Sequence, residues 1–376
     1  MAMNKNQLQM VSTNNRISSL DIMRGFSMFW LVGGAAIVGE LAHLDFIEGT
    51  SWLADQMHHR SWEGLKFFDL IFPFFIFASG ATLPYSIARM KSKGMSNNKV
   101  ILSSFRRALV LAMIGVAYNE WTAHSFANPR LCSVLAQIGV SYFISTSIFI
   151  FNRSRRRLLV AVIIILLLIT ALQTMIPGSS LNWDINPENS INSYIDSLMP
   201  GRLYRSNYDP EGPLNWISAS SVSLLGAWTS SQIIFGEKSG YRFGRTFAIL
   251  LVVGICLIAV GLIADTHYPI IKQVWTGSFC ALSGGISIIF YLLIYSLVEI
   301  KNIKKPFYIL KIIGANSLLA YVASRVFGYS QFTEAFGKYL SEAFFIESTF
   351  LGILLTMIAT LLILNFFYKK KIFLRV

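Results

Sequence analysis

The segment His58-His59-Arg60-Ser61-Trp62-Glu63-Gly64-Leu65-Lys66-Phe67-Phe68-Asp69 sets two imidazoles, an indole and a carboxylate ahead of the apolar run Leu70-Ile71-Phe72-Pro73. An imidazole exchanges a proton near neutral pH, and a carboxylate beside it can orient it or hold its charge. Acid–base chemistry at the mouth of an apolar segment is one reading of His59, Trp62 and Asp69; anchoring of a helix end by interfacial His and Trp is the other. Asp69 favours the first, because an ionisable side chain at the start of an apolar run is costly in lipid and marks a function or a partner for a base.

A second group of residues is basic. The chain enters its first apolar segment through Arg16-Ile17-Ser18-Ser19-Leu20-Asp21-Ile22-Met23-Arg24-Gly25. Here Ser18 or Ser19 can cap a helix, and Asp21 and Arg24 can pair on one face. Arg24, with Arg106 and Arg107, offers guanidinium groups suited to a phosphorylated cofactor, as an alternative to a simple positive flank. No glycine-rich phosphate loop of recognised spacing accompanies them.

Two polar features remain. Asn316, within Gly314-Ala315-Asn316-Ser317, places an amide in an apolar segment, where it either joins two helices or contacts a ligand. Asn119 and Glu120 either face the pocket of His59 or sit as ordinary interfacial residues, while Asp209 and Glu211 lie in Asn207-Tyr208-Asp209-Pro210-Glu211-Gly212. That last motif belongs to a stretch too long for a mere connector, of the kind that carries binding groups.

The elements that must position these residues follow from composition. Of 376 residues, 54% are hydrophobic and 14% charged, which excludes an ordinary soluble enzyme. The formal net charge of +13 falls in short clusters between apolar runs rather than along one surface, so no nucleic-acid partner is read from it. Cys132, Cys256 and Cys280 show no disulfide or metal spacing. Segments near 22–40, 67–88, 104–120, 132–151, 158–176, 214–235, 244–264, 274–297, 307–327 and 346–368 are long and apolar enough to cross a bilayer. The expectation is an all-α integral membrane protein, about ten helices in one bundle, forming a single domain over 1–376 with long outer loops 41–66 and 177–213. The polar Lys5 to Arg16 region and a long first segment argue against a cleavable signal.

Charge then orients the bundle. The side holding both termini carries 24 of the 32 Lys and Arg but only Asp21, Glu237 and Glu299 of the 19 acids. The positive-inside rule makes that side, and both termini, cytoplasmic. All five histidines and both long loops fall outside.

On these residues the chain resembles the heparan-α-glucosaminide N-acetyltransferase family and, in its short N-terminus and Gly33-Gly34, the family's bacterial branch, related to membrane proteins of N-acetylglucosamine utilisation gene clusters. The resemblance runs through Arg16 to Gly25, His59-x-x-Trp62-x-Gly64 with Asp69-Leu-Ile-Phe-Pro73, Arg130 with Val134-Leu135 and Gly139-Val140, Asp209-Pro210-Glu211-Gly212, Gly314-x-Asn316-Ser317, and Lys370-Lys371-Ile372-Phe373. It implies transfer of the acetyl group of cytoplasmic acetyl-CoA to an amino sugar or glycan at the outer face of a bacterial inner membrane, without a metal, and a homodimer. The family's active-site histidine falls on His59. Asp69 stands beside it as a catalytic candidate, and Asp69, Asp209 and Glu211 would either orient the histidine or bind the sugar; Arg24, Arg106, Arg107 and Asn316 would hold the cofactor, and Trp62 and Asn119 would join Asp209 and Glu211 in facing the sugar. Direct attack of the amine and an acetyl-histidine route both fit. Departures from the family pattern stand at Ala35, Gln137 and Ser324-Arg325. A sugar transporter or a polysaccharide O-acetyltransferase are the other classes these features admit.

Overall fold

The computed structural model describes residues 17–43, 51–124, 126–152, 154–174, 185–238, 243–326 and 348–374. Trp183 and Asp184 of the second long loop lie outside these residues, as do Arg16 and residues 44–50 of the first.

The described chain is helical apart from its loops. In order come α1 (Ser18–Phe29), α2 (Ala35–His43), α3 (Ser51–Gln56), α4 (Ile71–Ala81), α5 (Leu83–Ser92), α6 (Asn97–Ala123), α7 (Val134–Phe151), α8 (Arg155–Thr174), α9 (Ile191–Ser197), α10 (Pro213–Lys238), α11 (Phe243–Ala264), α12 (Gly277–Tyr295), α13 (Tyr308–Ala315), α14 (Ser317–Val326) and α15 (Ser348–Lys369). Among the described residues, eight helical stretches are long and apolar enough to cross a membrane. The protein is thus a multi-pass membrane protein.

Ten spans were expected, and the other two are helical without meeting that description. One is α10, whose serines lower its hydropathy. It packs against α4, α7, α8 and α12, so its polar face meets protein rather than lipid, and several of its hydroxyls turn back onto its own carbonyls, as in Ser218 to Leu214 O at 3.2 Å and Thr229 to Leu225 O at 2.9 Å. The other is the ninth expected segment, which breaks at Asn316 between α13 and α14. By contrast, α8 and α11 expose Ile163, Ile164, Leu167, Val252, Ile255 and Ile263, the side chains that a lipid-facing surface requires.

Two other spans are interrupted. α1 and α2 are joined by a wide turn, Trp30–Gly34, and Thr82 separates α4 from α5. Small residues set the crossings. A Cβ on Gly25 would lie 1.7 Å from Leu310 O and one on Gly314 1.7 Å from Asp21 O, so α1 and α13 touch backbone to backbone.

The N-terminus of α1 differs from expectation. Neither Ser18 nor Ser19 caps it; the Ser19 N–H instead donates to Glu299 Oε1 (2.9 Å), an anion brought from the wide turn Ser296–Ile300 that follows α12. The expected Asp21–Arg24 pair does form, at 2.5 Å. These contacts mark one end of the bundle, and the loops after α3, α9 and α11 gather at the other.

Candidate active site

His59 lies in the loop between α3 and α4, and Asp69 lies in the single 3₁₀ turn, Phe67–Leu70, that opens the second span. His59 Nδ1 and Asp69 Oδ1 are 2.6 Å apart; 40% of the histidine side chain is exposed while the carboxylate is fully buried. The second oxygen of Asp69 accepts from the Lys66 N–H (3.0 Å) and the Arg60 N–H (3.4 Å). The carboxylate is therefore held by the same loop that presents the imidazole. Enclosure pushes the proton affinity of His59 below its ordinary value, the Asp69 hydrogen bond opposes this, and nearby Lys272 adds to the lowering. The ring also packs on Phe68, with centroids 4.8 Å apart.

Two further loops close on this one. Trp62 donates from Nε1 to Ile185 O (2.6 Å) and meets Tyr208 edge-on at 5.2 Å. Gln273 Nε2 donates to Arg60 O (3.1 Å), and Asn215 Nδ2 donates to Gln273 O (3.0 Å) and Pro210 O (2.9 Å). Thus 58–66, 185–212 and 265–276 form one continuous wall.

The acidic motif is tied down within that wall. Arg130 Nε donates to Asp209 Oδ2 (2.7 Å) and Nη2 to Asp209 Oδ1 (2.5 Å), and Nη2 also reaches Glu211 Oε2. Asp209 accepts from the Tyr204 and Glu211 N–H groups as well (3.1 and 3.0 Å). Its carboxylate is a structural hub. Burial raises the proton affinity of Glu211, while Arg130 and Lys272 pull it down. Asn119 Nδ2 donates to Cys132 O (3.0 Å), and Glu120 Oε1 accepts from the Arg130 N–H (2.8 Å) and Arg202 Nη2 (2.9 Å). Burial pushes the Cys132 thiol well above its ordinary range, which removes its nucleophilic form.

One member of this group predicts a pH effect. Asp196 accepts from the Asp209 N–H (2.8 Å), and its other oxygen is buried without a partner. Burial, with the charges of Asp209 and Glu211, outweighs that hydrogen bond and pushes its pKa up to about 7. The folded chain then binds more protons than the unfolded one from about pH 4 to about pH 7, so stability falls as pH rises through this window. Asp196→Asn keeps an acceptor and removes the charge. Its gain in unfolding temperature over the parent is expected to be several degrees larger at pH 8 than at pH 5, read by thermal unfolding in detergent.

The residues expected at a cofactor site are spread over several elements. Arg24 is engaged by Asp21, and Arg106 points out from α6. Arg107 lies over the Tyr142 ring at 4.3 Å, and its Nε is buried without a hydrogen-bond partner. Asn316 donates from Nδ2 to Ile372 O (3.0 Å) and accepts at Oδ1 from the Leu374 N–H (3.1 Å). Its carboxamide is a clasp for the C-terminal segment, near the bundle end that holds the close of α15. Sequence reasoning assigned no role to Lys272 or to Arg130, although Arg130 stood within a quoted motif. Their partners lie too far along the chain for local spacing to reveal. Among the described residues, no cluster of His, Cys, Asp and Glu could hold a metal ion.

Comparison with known proteins agrees with the motifs. The profile of a family described as a domain of unknown function (DUF5009) matches residues 16–191. Heparan-alpha-glucosaminide N-acetyltransferase of Mus musculus is 24% identical over 428 residues, covering 96% of this chain and 61% of that protein. Its Homo sapiens counterpart is 23% identical over 381 residues, covering 83% of this chain and 53% of that protein. The chain thus spans between half and two thirds of the length of these curated relatives. The resemblance carried by the motifs extends over most of the chain, which is similar in sequence to the heparan-alpha-glucosaminide N-acetyltransferases.

Proposed function

We propose that this protein is a transmembrane N-acetyltransferase that moves the acetyl group of cytoplasmic acetyl-CoA to the amine of glucosamine or a hexosamine-terminated glycan at the outer face of a bacterial inner membrane. The observation that carries this reading is the His59–Asp69 pair at 2.6 Å, partly open to solvent, at the mouth of a span. With Nδ1–H donated to Asp69, Nε2 presents its lone pair as a general base. A base of lowered proton affinity is free to act at neutral pH. A transporter has no need of such a pair.

The donor site fits the opposite end of the bundle. The buried, unpartnered Nε of Arg107 is suited to a phosphate oxygen of acetyl-CoA, and Arg24 lies on the first helix at the same end. When bound, acetyl-CoA supplies an acetyl group activated as a thioester. His59 takes the proton of the amine as it attacks, and Asp69 holds the imidazole in the tautomer this needs. Trp62 and Glu211 lie on the wall that would face the sugar, and Asp209 and Asn119 shape that wall from behind. The excess of basic residues at the Arg24 end supports a cytoplasmic donor and an outer acceptor.

The test is to supply acetyl-CoA and glucosamine to the purified protein and to follow thiol release and the mass of the sugar. Stoichiometric free thiol and N-acetylglucosamine are expected, and Arg107→Ala is expected to weaken acetyl-CoA binding about tenfold by calorimetry. Uptake of labelled sugar into liposomes with no thiol release would sink the enzyme reading.

A further inference from the structure

The loop before α12 brings a cation, Lys272, to the His59 end of the bundle. Lys272 is 6% exposed, and no carboxylate among the described residues forms a salt bridge with it. A buried ammonium so placed is costly unless anionic charge meets it. Its position is set from both sides. The preceding residue, Ile271, makes isolated bridges with Glu63 and Gly64, and the Gly64 N–H donates to Ile270 O (2.8 Å). The following residue, Gln273, donates to Arg60 O (3.1 Å). A tight turn completes the hold, with the Trp275 N–H on Lys272 O (3.2 Å) and Trp275 itself at φ 47°. Lys272 is thus clamped between two residues bound to the loop of His59, within electrostatic reach of both His59 and Glu211.

We propose that Lys272 is a third catalytic residue, whose ammonium stabilises the oxyanion formed when the acceptor amine adds to the thioester carbonyl beside His59. This deepens the N-acetyltransferase reading above and rests on it. Addition forms the carbon–nitrogen bond and moves the carbonyl π pair onto oxygen, where Lys272 meets the charge. His59 Nε2 takes a proton from that nitrogen. Collapse restores the carbonyl, breaks the carbon–sulfur bond and sends the electron pair to sulfur, and His59 returns its proton to the thiolate. Two other polar groups are committed elsewhere: Arg130 to Asp209 and Glu211, Asn316 to the C-terminal segment.

Lys272→Met keeps the apolar stem and removes the charge, and Lys272→Arg keeps the charge. On protein that elutes as a single species, the methionine variant is expected to lower kcat about 100- to 1,000-fold, with glucosamine KM and acetyl-CoA binding nearly unchanged. The arginine variant should recover much of kcat. A second readout needs no turnover: NMR of histidine-labelled protein, with the His59 signal assigned by His59→Gln. Asp69, His58 and Lys272 are the charged or titratable groups acting on His59, so losing Lys272 should raise its titration midpoint. A kcat for Lys272→Met close to the parent's overturns the assignment, and so does an unmoved His59 midpoint. If the parent transfers no acetyl group, the N-acetyltransferase reading fails and the oxyanion role with it. A moved midpoint in that case would still identify Lys272 as the charge facing His59, which separates the two failures.

Discussion

His59→Ala is expected to abolish acetyl transfer, lowering it by about a thousandfold or more, while acetyl-CoA binding stays within about twofold of the parent. The first half follows from the hydrogen bond between Nδ1 and Asp69 Oδ1: it holds the tautomer in which Nε2 accepts a proton, and alanine leaves the attacking nitrogen without a base. The second half follows from distance along the bundle, since Arg24 and Arg107 lie on helices toward the end opposite the His59 loop. Asp69→Asn separates base from orienting group. An amide at that position can donate to Nδ1, leaving the proton on Nε2, so the imidazole stays in place and loses its basic face. Thiol release and sugar mass read both variants; a His59→Ala enzyme that keeps a tenth of parental turnover would remove the histidine from the mechanism.

The second large effect concerns stability. Arg130→Met should destabilise the protein by about 3–5 kcal/mol, the cost of breaking a buried ion pair from one side. Asp209 would lose both of its guanidinium hydrogen bonds and Glu211 would lose one, leaving two carboxylates crowded beside Asp196. Arg130→Lys cannot restore the fork, because a single ammonium lacks two parallel donors. Both variants should therefore unfold well below the parent, with methionine the worse. Thermal unfolding in detergent is the measurement, and a midpoint for Arg130→Met equal to the parent's would show that the fork contributes nothing. A severe fall in activity at temperatures where the variant is still folded is also expected, since the motif reaches the site wall through Asn215 and Gln273.

Much of this was legible before folding was considered. Hydropathy locates most spans because lipid imposes a minimum apolar length on each. Serine-rich α10 also reads as a span, but its hydroxyls are tolerated for a reason that hydropathy does not contain: neighbouring helices pack around it. The pairing of His59 with Asp69 was within reach because the two stand ten residues apart at one helix mouth. Asp209 read equally well as a sugar ligand, and only its 79-residue partnership with Arg130 shows the hub. Asn316 likewise meets its partners 56 and 58 residues away.

By itself, then, the sequence determined the membrane class, the helical architecture and the relatives, and it set His59 and Asp69 at one helix mouth, because each depends on composition or on residues a few turns apart; that Asp69 rather than Asp209 or Glu211 meets His59 came from the fold. The tertiary structure alone decided which polar groups are spent holding loops together and which remain for chemistry. Burial and hydrogen-bond saturation depend on neighbours supplied by distant segments. Lys272 shows the difference most plainly: in the chain it is one lysine in a short loop, and in the fold it is a buried cation whose neighbours are bonded to the loop of His59.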